Sequence, residues 1–268
     1  EDKMVKQELK EYTENAVTKG IRKTRELKFY LVKFAIRIVI VLIFLALYIT
    51  NREGLVDMMM QPIWHGINFV NVIWVVFMVI MISHLIPNNR LSMAWKKAKE
   101  SEYRPVENYD KMELAKYIQK QNVAALIIML VWLSFNAIFG ILYLAGILIP
   151  SDLLMLTVLF FLCDYICILL FCPFQTFFMK NKCCINCRIY DWGHFMMFTP
   201  MLFIPSFYSW SLFFTSLVVL LHWEISYARH PERFWEGSNK TLQCANCKER
   251  TCVIKNSIRS KAVKRFSK

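Results

Sequence analysis

Long, almost uninterrupted apolar blocks constrain this chain more than any other feature, at about 29–50, 65–86, 122–149, 153–179 and 190–228. A run of about 18 or more apolar residues reads as a membrane-spanning helix, because roughly 20 residues are needed to cross the hydrocarbon. No water reaches the backbone inside that layer. Each segment must therefore satisfy its own amides, which favours helices. The expected class is all-α: a multi-pass transmembrane helical bundle in the cell membrane, with the lipid bilayer as its first partner.

The last block is too long for one crossing. Some 35 residues make a helix of about 52 Å, against a hydrocarbon core of ~30 Å. Pro200, Pro205 and Ser206 interrupt it. The spacing predicts a helical hairpin, with a short limb over about 190–204 and a longer one over about 207–228. That brings the expected total to about six membrane segments, spread over residues 29–228. Ahead of them, residues 1–28 set Val5, Leu9, Tyr12 and Ala16 on one helical face among Lys and Glu. This is the pattern of an amphipathic surface helix, with a partly disordered charged tail as the alternative.

A formal net charge of +13 could suggest nucleic acid. Here the Lys and Arg gather in residues 1–28, in the connections 88–121 and 180–192, and in the tail 229–268, where such residues fix orientation and meet anionic lipid. No nucleic-acid partner is expected. The positive-inside rule puts these segments, and with them both termini, in the cytoplasm.

The nine cysteines are clustered rather than spaced as a secreted disulfide framework. Lys182-Cys183-Cys184-Ile185-Asn186-Cys187-Arg188 is echoed by Gln243-Cys244-Ala245-Asn246-Cys247-Lys248. Each is a Cys-x-x-Cys knuckle with an apolar residue and Asn between the thiols and a base after them. Cys184, Cys187, Cys244 and Cys247 would supply four thiolates, enough to close a tetrahedral metal site. Cys183 and Cys252 are alternative ligands. A hairpin over 190–228 would return both knuckles to the cytoplasmic face. Tetrahedral sulfur holds iron or zinc, and the ligand type alone does not separate them. Lys182, Arg188, Lys248 and Arg250, with Lys240, would offset the charge of such a site, about −2 with ferrous and −1 with ferric ion. They would also steer a small anion such as superoxide towards it. As ordinary inner-leaflet residues they would need no such role.

The paired knuckles resemble those of rubredoxins and zinc ribbons. The longer string Cys172-Pro173-Phe174-Gln175-Thr176-Phe177, the first knuckle, and Tyr190-Asp191-Trp192-Gly193-His194-Phe195-Met196-Met197-Phe198-Thr199-Pro200 resembles a family of prokaryotic integral membrane proteins with one rubredoxin-like Fe(Cys)4 centre at the membrane boundary. The resemblance implies an iron that cycles between ferrous and ferric states, with superoxide as a candidate redox partner, and the four cysteines as its ligands. Rubredoxin knuckles usually carry Gly after the second Cys; Arg188 and Lys248 stand there instead. The resulting expectation is a one-electron redox protein or oxidoreductase working by outer-sphere transfer to superoxide or a membrane electron carrier. The alternatives are a structural zinc site in a membrane scaffold, transporter or assembly factor, and a thiol–disulfide carrier.

Within the apolar blocks, Asp164 is expensive unless paired, and Arg37 and His194 are its candidate partners. A neutral Asp that packs the bundle is the plainer reading. A haem held by two of His84, His194 and His222 is a further candidate. Cys163 and Cys167 read as packing residues.

Overall fold

A computed structural model of the chain describes residues 25–64, 67–86, 100–181, 184, 186–246 and 255, and it is mostly helical. Helix α1 (Arg25–Thr50) leads through a short α2 (Leu55–Met60) into a two-stranded ribbon, β1 (Pro62–Trp64) and β2 (Ile67–Asn68). Asn68 then caps α3 (Phe69–Leu85), its Oδ1 accepting from the Asn71 amide at 2.8 Å. Asp110 does the same for α4 (Lys111–Leu144), accepting from Met112 N at 2.7 Å. Helix α5 (Pro150–Leu169) opens on a proline, whose missing amide costs nothing at a helix start. A single π-helical turn (Phe174–Met179) follows. After the first knuckle come a 3₁₀ turn (Arg188–Trp192), α6 (Gly193–Phe198), a second 3₁₀ turn (Thr199–Phe203) and α7 (Phe207–Arg229).

Among the described residues, four helices are long and apolar enough to cross a membrane: α1 from Leu27, α4, α5 and α7. Helix α3 is equally apolar but has 17 residues. Several boundaries differ from the sequence reading. Helix α4 begins at Lys111, inside the stretch read as a loop, because Asp110 supplies a cap that hydropathy does not register. Helix α5 ends at Leu169 rather than near 179, just ahead of Pro173, which has no amide to extend the ladder. The chain then turns on Lys180, which adopts a left-handed φ of 52°. The amphipathic pattern over 1–28 lies almost wholly outside the described residues.

Residues 188–203 run back along α7. Trp223 Nε1 donates to Arg188 O at 2.6 Å, the Phe195 and Phe213 rings stand 5.9 Å apart, and Trp210 Nε1 donates to Leu202 O at 3.1 Å. These pairings advance along one limb as they retreat along the other, which defines a hairpin reversing at 204–206. Helix α1 packs on α5 and α3 on α7, while the short limb fits against α5 and α7.

Gly140 of α4 lets the short limb come close. A Cβ added there would lie 2.3 Å from the Phe203 ring. Membrane helices use small residues for such approaches. Gly140→Ala should therefore lower stability in detergent by about 1–3 kcal/mol through overpacking. Thermal unfolding measures it, and adding Phe203→Leu should recover most of the loss; no recovery would exclude this account.

Candidate functional site

The first knuckle sits where α4, α5 and the π turn converge, on a net of carboxamides. Gln121 of α4 donates to Asn181 Oδ1 at 3.2 Å and towards Met179 O at 3.4 Å. Gln175 donates to Asn181 O at 3.0 Å, and Asn181 Nδ2 donates to Asn186 O at 3.3 Å. These bonds satisfy the carbonyls of a tight loop whose backbone has left regular helix. Cys187 N donates to Cys184 O at 3.0 Å, the turn that a Cys-x-x-Cys knuckle requires. Both residues are buried.

The thiols have distinct surroundings. Cys184 Sγ lies 2.9 Å from Gln175 Oε1 and accepts from Lys255 Nζ at 2.6 Å. Lys255 also donates to Gln175 Oε1 at 3.0 Å and to the Cys167 carbonyl. Cys172 receives the Cys167 thiol and the Gln175 amide, the latter at 3.4 Å. The Cys167 hydrogen bond, helped by the Lys255 charge, holds the Cys172 thiol below its usual range. Burial pushes Cys187 up to about 12, and the neighbouring Cys172 and Cys184 add to the shift. None of Cys163, Cys167, Cys172, Cys184, Cys187 and Cys244 forms a disulfide.

The C-terminal segment returns to this end of the bundle. Asn186 Nδ2 donates to Glu236 Oε2 at 3.0 Å, Tyr117 and Trp235 rings stand 5.9 Å apart, and Val106 N donates to Ser238 O at 2.9 Å. Cys244 starts a 3₁₀ turn (Cys244–Asn246) and is exposed. Cys183, Cys247 and Cys252, with Lys182, Lys248 and Arg250, lie outside the described residues. Of the four candidate ligands, Cys184 and Cys187 share the buried loop of the first knuckle. Among the described residues, no group of three or more His, Cys, Asp and Glu could hold a metal ion as placed.

Arg188 turns inward. It pairs with Glu224, donates to Asn122 Oδ1, and lies over the Tyr227 ring at 4.4 Å. Glu224 also accepts from Trp192 Nε1 at 2.8 Å. The guanidinium thus locks the residue after Cys187 to α7.

Deeper in the bundle, Arg37 Nη1 meets Asp164 Oδ2 at 2.9 Å, bonds the Phe161 carbonyl, and is sandwiched 3.9 Å from both the Phe161 and Tyr165 rings. Beside this pair, His194 packs edge-on against His84 at 4.9 Å between ring centroids. Gly193 abuts Asp164, with Oδ1 only 2.9 Å from where a Cβ would stand. His222 lies on α7.

Sequence reasoning missed Lys255 and Asn181 as parts of these sites, carried Gln175 and Asp191 only inside the longer motif, and named His84 only as a candidate haem ligand. It singled out Cys172 only within the longer motif. Its signal was there to find: a thiol just before a helix-breaking proline, close ahead of a knuckle. No family model, curated protein or solved structure matches this chain.

Proposed function

We propose that the protein is a membrane-bound one-electron redox protein whose two knuckles hold a single iron through Cys184, Cys187, Cys244 and Cys247. The reading has six membrane segments, the hairpin supplying the last two, and a rubredoxin-like site at the cytoplasmic face. One observation carries it. The second knuckle lies on a loop of chain whose two flanks both touch the first: Glu236 bonds Asn186, and Lys255 bonds Cys184. Flanks held there would let Cys244 and Cys247 reach the first knuckle.

Iron bound by four thiolates supplies reversible one-electron chemistry. The chain's own groups prepare for it. Lys255 places a positive charge on Cys184, which favours the thiolate and offsets a negative centre. The carboxamide net fixes the loop, and the Arg188–Glu224 pair anchors its exit. A closed sulfur shell leaves outer-sphere transfer as the route, with superoxide or a membrane electron carrier as partner.

Native, untagged protein should purify red when oxidised and carry about one iron per chain. Combining Cys184→Ala with Cys244→Ala should abolish both colour and iron. Colourless protein with stoichiometric zinc would establish the structural alternative, and metal-free protein with a reversible disulfide would establish a thiol carrier. Iron retained in the double variant would exclude these ligands.

A further inference from the structure

A cavity of about 690 Å³ opens inside the bundle between α1, α3, α5 and the short limb. Its lining reaches along α5 from Pro150, at the first turn, to Ile168, near the last, so the slot is roughly 27 Å long at 1.5 Å per residue. Most of the wall is apolar, with Ile40, Phe77, Leu154, Phe161, Met197 and Leu212 among its residues. Ile36, Val72 and Val76 both line it and stand about half exposed, so it communicates with the surface between α1 and α3.

One end is different. Arg37, Asp164, His84, Asp191 and His194 line the cavity beneath the first knuckle. Arg37 and Asp164 satisfy each other, but two neighbours are left over. Asp191 Oδ2 and His84 Nδ1 are buried polar atoms with no hydrogen-bond partner. Their residues are only 5% and 8% exposed, which places both atoms deep in the protein. His84 Nδ1 and Asp191 Oδ1 approach to 3.4 Å without forming a hydrogen bond. Leaving such atoms unmet costs about 1–3 kcal/mol each, so a ligand that meets them gains accordingly.

We propose that this cavity binds a lipophilic quinone or quinol, with its ring at the His84–Asp191 end and its isoprenoid tail along α5. Shape and donor pattern together select that class. A long apolar slot with one polar end suits a planar polar ring on a greasy tail. The ring must both accept and donate: an oxygen accepts from the His84 ring, and a quinol hydroxyl donates to Asp191 Oδ2. A fatty-acid carboxylate only accepts, so it could meet the His84 ring but would leave Asp191 Oδ2 without a donor. A phosphatidylcholine headgroup is bulkier and likewise offers acceptors but no donor for Asp191 Oδ2. Aromatic neighbours, His194 and Tyr190, are placed to pack against a flat ring. This inference stands apart from the metal reading, since it uses no cysteine.

The test uses full-length protein in phosphatidylcholine nanodiscs titrated with decylubiquinone and, separately, with its reduced form decylubiquinol. Trp74 lines the cavity, so its fluorescence reports occupancy by quenching. Wild-type protein should quench saturably, and Trp74→Phe should lose most of that signal. For the quinol, Asp191→Asn and His84→Ala should each weaken binding about tenfold, the equivalent of one lost buried hydrogen bond, whereas the quinone, which has no donor for Asp191, should respond to His84→Ala alone. Leu212→Trp, which fills the slot, should abolish it as judged by competition in a filter-binding assay with radiolabelled decylubiquinone. Oleate should not displace the quinone. Cys184→Ala should bind quinone as wild type does, so a failure of the metal reading and a failure of this one are separable. Quenching that rises linearly and equally in wild type, Asp191→Asn and Leu212→Trp would mean partition into lipid only and would overturn the proposal. So would displacement by oleate.

Discussion

Arg37→Ala is expected to lower stability by about 2–3 kcal/mol, because it strands Asp164, one member of a part-buried ion pair inside an apolar span. The guanidinium is held by the Asp164 carboxylate, by the Phe161 carbonyl and by two aromatic faces. Its removal leaves Asp164 in a helix flanked by Leu, Ile and Phe, with no other cation bonded to it in the described residues. A lone carboxylate at that depth must be neutralised or hydrated, and either is costly in hydrocarbon. Asp164→Asn alone should cost less, because a neutral amide still accepts from Arg37 and needs less solvation. The combination Arg37→Leu with Asp164→Leu should recover most of the loss, since removing both charges also removes the desolvation penalty. Unfolding of purified protein by denaturing detergent measures all four species. Equal stability of the Arg37→Ala and double-leucine variants would show that the pair is incidental to the bundle.

The same pair shows what was legible in the sequence. A charged residue inside an apolar run must find a partner, so rarity narrowed the partners of Asp164 to Arg37 and His194, and the structure pairs it with Arg37. The four long apolar helices were legible for a similar reason, because hydropathy is a local property. Pro205 marked the reversal between the limbs, since proline cannot continue a helix. His84 and Asp191 could not be matched. His84 sits at the end of an apolar helix and Asp191 in an aromatic-rich turn, and only the packing of α3 against the short limb's entry brings them together. Lys255 was equally silent, as one basic residue in a basic tail. Its role as the neighbour of Cys184 depends on the tail's return, which no periodicity encodes. The π turn after Cys172 belongs to the same group: hydropathy carried the span through Pro173 to about 179, and neither the break there nor the thiol pairing that follows from it was read.

The return of the tail rests on Asn239, and its replacement should have the second large effect. Asn239 is fully buried. Its Oδ1 accepts from Thr241 N at 3.1 Å, from Thr241 Oγ1 at 2.8 Å and from Arg104 N at 3.4 Å, while Nδ2 donates to Arg233 O at 2.8 Å. On either side, Lys240 N donates to Arg104 O at 2.8 Å and Val106 N to Ser238 O at 2.9 Å. One carboxamide thus ties the turn after α7 to the connection before α4. Asn239→Ala leaves several buried partners unmet, at about 1–3 kcal/mol for each that water does not reach. The loss should be local, because the spans do not depend on it. Amide exchange over 231–246 should accelerate about tenfold to a hundredfold while α4 and α7 keep their protection. Asn239→Asp should lie between, since it keeps the acceptor and loses the donor. If the second knuckle completes a metal site with Cys184 and Cys187, iron content should fall together with protection over 231–246. Protection lost with iron fully retained would show that the first knuckle and its neighbours hold the ion without the tail.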